Sequence, residues 1–210
     1  MIADLQQFQR AIERFDAANA EDPNRELADG LEQPKELLYA KRMSAMLERF
    51  APEASEALRL AARCQHIRRW TIPRADFPSG AAGYKQWRTT LQQFHAETAA
   101  AILREVGYEE ETVARVQSLL RKERLKLDPA VQTLEDVVDL VFLENYLDEF
   151  VAGHAEYDEA KWIDILKKTW FKMSPRGRKA ALSTIRLPEK LVPVIMRAAE
   201  LGEKMDRSKS

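Results

Sequence analysis

The segment Val131–Phe150, VQTLEDVVDLVFLENYLDEF, decides the fold class. At 100° per residue, Val131, Leu134, Val137, Val138, Leu140, Val141, Phe142, Leu143 and Leu147 leave no broad polar face. Such a segment is a central helix buried on nearly all sides, entered through the helix-starting pair Asp128-Pro129. Its charges are of one sign. Glu135, Asp136 and Asp139 sit among the apolar residues, and no Lys or Arg occurs between Gln132 and Phe150. Glu135 and Asp139 are four apart, so they share a face and repel. Buried carboxylates are costly unless they are neutralised, paired or bound to a metal. The rest of the chain must therefore bring partners to them.

Working outward, helical periodicity recurs almost everywhere and strand alternation almost nowhere. Ile2, Leu5, Phe8, Ile12 and Phe15 form a first stripe, ended by Glu21-Asp22-Pro23-Asn24. A second helix starts near Pro34, and a third runs from Pro52 to about Trp70. Thr71 to Gly83, with two prolines and two glycines, reads as a loop, and loops of that length inside a domain are often functional. A fourth helix covers Tyr84 to Val106 and is closed by Gly107. A short helix over Glu111–Arg121 and the long one to Val151 follow, then helices over Asp158–Lys172, Pro175–Ile185 and Pro188–Lys204. Ser174-Pro175 is an N-cap followed by a first-turn proline. The expected fold is all-α, with a core over 1–152, a C-terminal helical segment over 153–205 and a disordered tail over 206–210.

Composition narrows the functional classes. Lys and Arg number 33 against 34 Asp and Glu, so the net charge of -1 supplies no strong field for nucleic acid. The single cysteine, Cys64, fits a reducing compartment. The first 20 residues lack a signal-like apolar run, and no stretch reaches the roughly 20 apolar residues of a membrane span. The expectation is a soluble, cytoplasmic protein without a membrane partner.

Polar residues recur on the apolar faces. Gln65 and Arg68 fall inside the buried arc of the third helix, with His66 at its edge; Arg88 and His95 sit mid-face on the fourth. Together with the acidic trio they read either as a structural polar network locking helices together or as a ligand or metal pocket. Arg68, Arg69, Arg74 and Arg88 flank the loop, where guanidinium groups would grip a phosphate or carboxylate, or else pair with the acidic helix. A second basic run, Lys161–Lys179, contains seven Lys or Arg against one Asp, with Trp162, Trp170 and Phe171 interleaved. It reads as a solvated face with inward aromatics, the alternative being an RNA- or partner-facing surface.

The segments LAARCQHIRRW (Leu60–Trp70), FHAETAAAILREVGY (Phe94–Tyr108) and VQTLEDVVDLVFL (Val131–Leu143) resemble the HD superfamily of metal-dependent phosphohydrolases. That resemblance implies an orthogonal helical bundle and one or two metal ions held by His and Asp. Tyr39 stands in place of the first-helix His and Gln65-His66 in place of a His-Asp pair, while Asp136 or Asp139 would be the later Asp. More closely, QHIRRW, GYKQW, FHAE, LEDVVDLVFLE and KTWFKMS resemble an uncharacterised family catalogued only as a domain of unknown function, family 4202. Some of its members carry a glutamyl-tRNA synthetase label, but no Gly-rich phosphate loop or strand–helix alternation supports that activity here.

The expected function is binding of a phosphorylated or otherwise anionic small molecule, with metal-dependent hydrolysis of it. His66, His95 and Asp139 are the catalytic candidates. Tyr39, Gln65, Arg68, Arg69, Arg74 and Arg88 are the ligand-binding candidates. His66, His95, Glu135, Asp136 and Asp139 are the candidate ligands of a divalent Zn, Mn, Fe or Mg ion. The alternatives are a non-catalytic binding or regulatory module on the same scaffold and an RNA-associated factor.

Overall fold

The computed structural model describes residues 2–154 and 156–207. These are almost wholly helical, as expected, and no helix is long and apolar enough to cross a membrane. The chain divides into two compact units, Met1–Leu134 and Glu135–Ser210.

The first unit begins with α1 (Leu5–Ala20), whose N-cap Asp4 accepts the amides of Gln6 and Gln7. A hairpin of β1 (Arg25–Ala28) and β2 (Leu31–Pro34) follows. It turns at Asp29-Gly30, both with positive φ, the turn that matches strand twist. Four-residue strands are too short to register as alternation, so the hairpin was not among the expected elements. Arg42 of α2 (Lys35–Phe50) pairs with Glu26 of β1.

The third helix is shorter than its periodicity predicts. The α3 helix spans only Glu56–Arg63, capped by the hydroxyl of Ser55. Past Cys64 the chain turns, Arg68 adopts left-handed geometry with φ 51°, and a 3₁₀ turn covers Arg69–Thr71. A second 3₁₀ turn, Arg74–Asp76, lies in what reads as loop, and α4 (Gly80–Val106) starts four residues before Tyr84. Gly83 is obligatory: a Cβ there would lie 1.9 Å from the Pro78 carbonyl oxygen. Gly107 ends α4 at φ +92°, as its position predicts.

Helices α4 and α5 (Glu110–Leu120) pack together, α5 packs on α3, and α1 on α2, α3 and α4. Phe15, Met43, Met46, Leu47, Leu60, Ile67, Leu103 and Leu119 are fully buried at these contacts. Each such side chain stabilises the unit by about 1.5–3 kcal/mol. Asp128 accepts both amides that open α6 (Pro129–Asn145) and a two-pronged bond from Arg115, which holds its carboxyl down at about 2.

The second unit starts within α6 and continues with α7 (Leu147–Ala152), α8 (Glu159–Lys172), α9 (Pro175–Ser183) and α10 (Val192–Arg207). The long helix expected to reach Val151 breaks at Tyr146. Helices α8 and α10 pack against each other. The division into units falls between Leu134 and Glu135, whereas residue 152, where the core was expected to end, closes α7. Asp206 and Arg207, expected in a disordered tail, complete α10, and residues 208–210 lie outside the described residues.

Candidate functional site

The site grows from the break after α3. Asn19 at the end of α1 is fully buried, and its side-chain oxygen accepts the Arg68 amide at 3.0 Å. That bond steadies a left-handed residue that is not glycine, a conformation costing about 1 kcal/mol. The resulting turn sends Arg68 and Arg69 in different directions. Arg68 pairs with exposed Glu21 at 2.8 Å, so the wheel position that placed it in the buried arc ends where the helix does. Arg69 reaches Glu36 at 3.5 Å and lays its guanidinium 4.9 Å from the centroid of the Trp87 ring.

Glu36 is the residue that sequence reasoning missed. It is buried, its amide donates to the Asp22 carboxylate at 2.9 Å, and its own carboxylate meets His66 Nδ1 at 3.2 Å. A first-turn glutamate reads as a routine helix-dipole residue. Yet Glu36 falls on the same face as buried Tyr39, Ala40, Met43 and Leu47, and that spacing was the available signal.

Tyr39 is buried and stacks on His66, ring centroids 4.0 Å apart and planes 10° apart. His95 lies 5.9 Å from His66 by ring centroid. Its Nδ1 lies 2.9 Å from the Ile67 carbonyl oxygen. A carbonyl only accepts, so His95 carries its proton on Nδ1 and turns a lone pair on Nε2 inward. Among the described residues that Nε2 is buried without a hydrogen-bond partner, as is the side-chain oxygen of Gln65. Burial, then the neighbouring His66, push His95 down to about 3. Burial, with Arg69, Arg88 and Lys122 adding, holds His66 well below the usual imidazole range. Burial raises Glu36, against which Arg69 and His95 act. Burial keeps both imidazoles neutral, and Arg69 favours the carboxylate form of Glu36 against the pull of burial.

Arg88 is half-buried on α4 and makes no hydrogen bond or ion pair among the described residues, although its charge bears on His66. Arg74 clamps the loop instead, donating to the carbonyls of Phe77 and Pro78 at 2.9 and 2.8 Å. Cys64 is buried and its thiol pushed up, which leaves no thiolate nucleophile there.

The acidic trio belongs to the second unit. Asp136 accepts the Ser174 amide at 2.7 Å and the Ser174 hydroxyl at 2.5 Å, while the Ser174 oxygen accepts the Gly177 amide at 3.0 Å. It thus anchors the N-terminus of α9, where a negative charge is favoured. A Cβ at position 177 would lie 2.7 Å from the Asp136 carboxyl carbon, which explains the glycine. Glu135 faces Lys172 at 4.0 Å, and Asp139 is buried one turn along the same helix. Among the described residues, no three His, Cys, Asp or Glu side chains gather closely enough to hold a metal ion.

The basic run of α8 and α9 is largely engaged within its unit. Lys167 and Lys168 meet Asp164, Arg178 donates to the Trp170 carbonyl, and Lys161 lies over Tyr157. Trp170 is buried, and Trp162 packs with Phe150, His154 and Tyr157.

The chain belongs to the family described as "Domain of unknown function (DUF4202)", whose profile matches residues 9–195. No curated protein and no solved structure matches it.

Proposed function

We propose that the first unit is an HD-like helical module that binds a phosphorylated or otherwise anionic small molecule at His66, His95, Arg69 and Arg88, and hydrolyses it with a metal. The reading rests on the His95 ring, anchored through Nδ1 and carrying a buried Nε2 with no partner among the described residues. An orphaned buried acceptor costs about 1–3 kcal/mol, and a metal ion or a ligand O–H that pairs it relieves that cost. Arg88, without a counter-ion among the described residues, supplies charge for the anion, and Arg69 adds to it.

The two imidazoles would supply part of a metal site, its remaining ligands coming from water and the anion. His95 has its Nδ1 proton taken by the Ile67 oxygen and His66 Nδ1 meets the Glu36 carboxylate, the arrangement that orients metal-bound histidine. His66 and His95 would hold Zn, Mn or Fe, which suit imidazole better than Mg does. When bound, the ion would polarise a phosphoryl oxygen. With its basicity depressed to about 3, His95 serves better as a ligand or hydrogen-bond acceptor than as a base at neutral pH. Glu135, Asp136 and Asp139 take no part in this reading. The buried free Cys64 fits a reducing, cytoplasmic setting.

The test is elemental analysis of protein purified without chelator, with calorimetric titration of inorganic phosphate and a panel of phosphomonoesters. The wild type retains metal and binds at least one anion, and His66→Ala and His95→Ala lose the metal while keeping their helical spectrum. A metal-free protein that binds no phosphate compound sinks the proposal. Anchorage of Asp136 at α9 favours a second reading, a non-catalytic binding module. It predicts anion binding without phosphomonoester turnover.

A further inference from the structure

Beside Arg69 the first unit carries a cleft of about 440 Å³ to which the anion reading assigns nothing. Its lining includes Pro23, Asn24, Arg69, Trp70, Ile72 and Trp87, and, among the described residues, no carboxylate. The volume falls within the range of small-molecule sites.

Arg69 links the cleft to the histidines. Its guanidinium carbon lies over the Trp87 ring, 4.9 Å from the centroid, while its Nη1 reaches Glu36, the carboxylate that also meets His66. Its Nε is buried without a hydrogen-bond partner among the described residues. Trp87 is fixed in turn: its indole N–H donates to the Ile72 carbonyl at 2.9 Å, tying α4 to the cleft wall. Arg74, also in the lining, clamps the following loop through its two carbonyl bonds. The cleft is therefore formed before any ligand arrives, which reduces the ordering cost of binding.

A cleft lined by a guanidinium and two indoles offers a flat, electron-rich ring surfaces on which to stack. Trp70 and Ile72 add apolar surface to the same cleft. With arginine and no carboxylate in the described wall, the field favours an anionic or neutral occupant over a cation. We infer, on the basis of the anion reading above, that the ligand carries a planar aromatic or heteroaromatic ring beside its phosphate, the ring seated in the Arg69–Trp70–Trp87 cleft and the phosphate directed to Arg69 and Arg88.

The probes are phenyl phosphate, cyclohexyl phosphate and inorganic phosphate, titrated into the wild-type chain by calorimetry and by tryptophan fluorescence. Phenyl phosphate binds about tenfold more tightly than inorganic phosphate, the usual worth of one aromatic stack. It also outcompetes cyclohexyl phosphate, which has the same charge but no flat face, and it quenches the fluorescence saturably. Trp70→Ala brings phenyl phosphate to the affinity of inorganic phosphate and leaves the latter unchanged. Equal binding of the phenyl and cyclohexyl esters overturns the ring seat, and this comparison needs no variant to fold. A Trp70→Ala protein that loses both anions in equal proportion overturns it as well. If phenyl phosphate and inorganic phosphate both fail to bind while another phosphomonoester does, the ring seat alone falls; if none binds, the anion reading falls with it.

Discussion

Two regions of this chain bury polar side chains and treat them in opposite ways. In the second unit, the Asp136 carboxylate takes both the amide and the hydroxyl of Ser174 and fixes the start of α9. In the first, among the described residues, His95 Nε2 and the Gln65 oxygen are buried without partners, and Arg88 has no counter-ion. Both groups of residues look alike on a helical wheel. The contrast shows that burial of polar residues does not by itself mark a site. A group satisfied by its neighbours stabilises the fold, and a group left unsatisfied is a cost the fold carries for something else.

Acid offers the largest perturbation. His95 ordinarily titrates near 6.5 and is pushed to about 3 when folded, so the unfolded chain binds more protons throughout that interval. The stabilisation is complete above about pH 6.5, erodes as the pH falls, and is exhausted near pH 3. Between pH 7 and pH 4 we expect a loss on the order of 3 kcal/mol from His95 alone, read as a fall in the urea midpoint. His66, depressed in the same direction, adds to it. In His95→Gln the acid slope flattens. An unchanged slope would mean that His95 is solvated, and the contrast between the regions would lose one side.

Asp136→Ala tests the other side. Removing the anchor of Ser174 strands two donors at the start of α9 and is expected to cost about 2–3 kcal/mol. Chemical denaturation measures the loss, and phosphate binding should persist in the folded variant. If stability holds while anion binding disappears, Asp136 belongs to the ligand and the assignment is reversed.

The smallest effect sharpens the comparison most. Gln65→Met replaces an unpaired buried oxygen with an apolar group of similar volume, so stability should shift by less than about 1 kcal/mol, in either direction. Affinity for hydrogen phosphate, whose O–H can donate to this oxygen, should fall over the same substitution. A thermal melt beside a phosphate titration separates the two, and a large loss of stability would show that Gln65 is structural.

Much of the helical frame is legible because its signals are local. Ser174-Pro175, Gly107 and Asp128-Pro129 each stand where the structure starts or ends a helix. The hairpin carried an equally local mark, Asp29-Gly30, but its strands alternate over only four residues each. The end of α3 left no such mark. Apolar spacing continues past Arg63, but the helix ends there, and Asn19, some fifty residues away, holds Arg68 in a left-handed turn that carries its side chain to Glu21.

From the sequence come the helical class, most helix ends and the finding that imidazoles, arginines and carboxylates fall on apolar faces, since periodicity and capping depend on residues within one or two turns. Which of those polar groups meet, as Glu36 meets His66 and Asp136 meets Ser174, was decided by tertiary structure alone. A hydrogen bond between distant residues needs the whole unit to be packed before either partner has a direction.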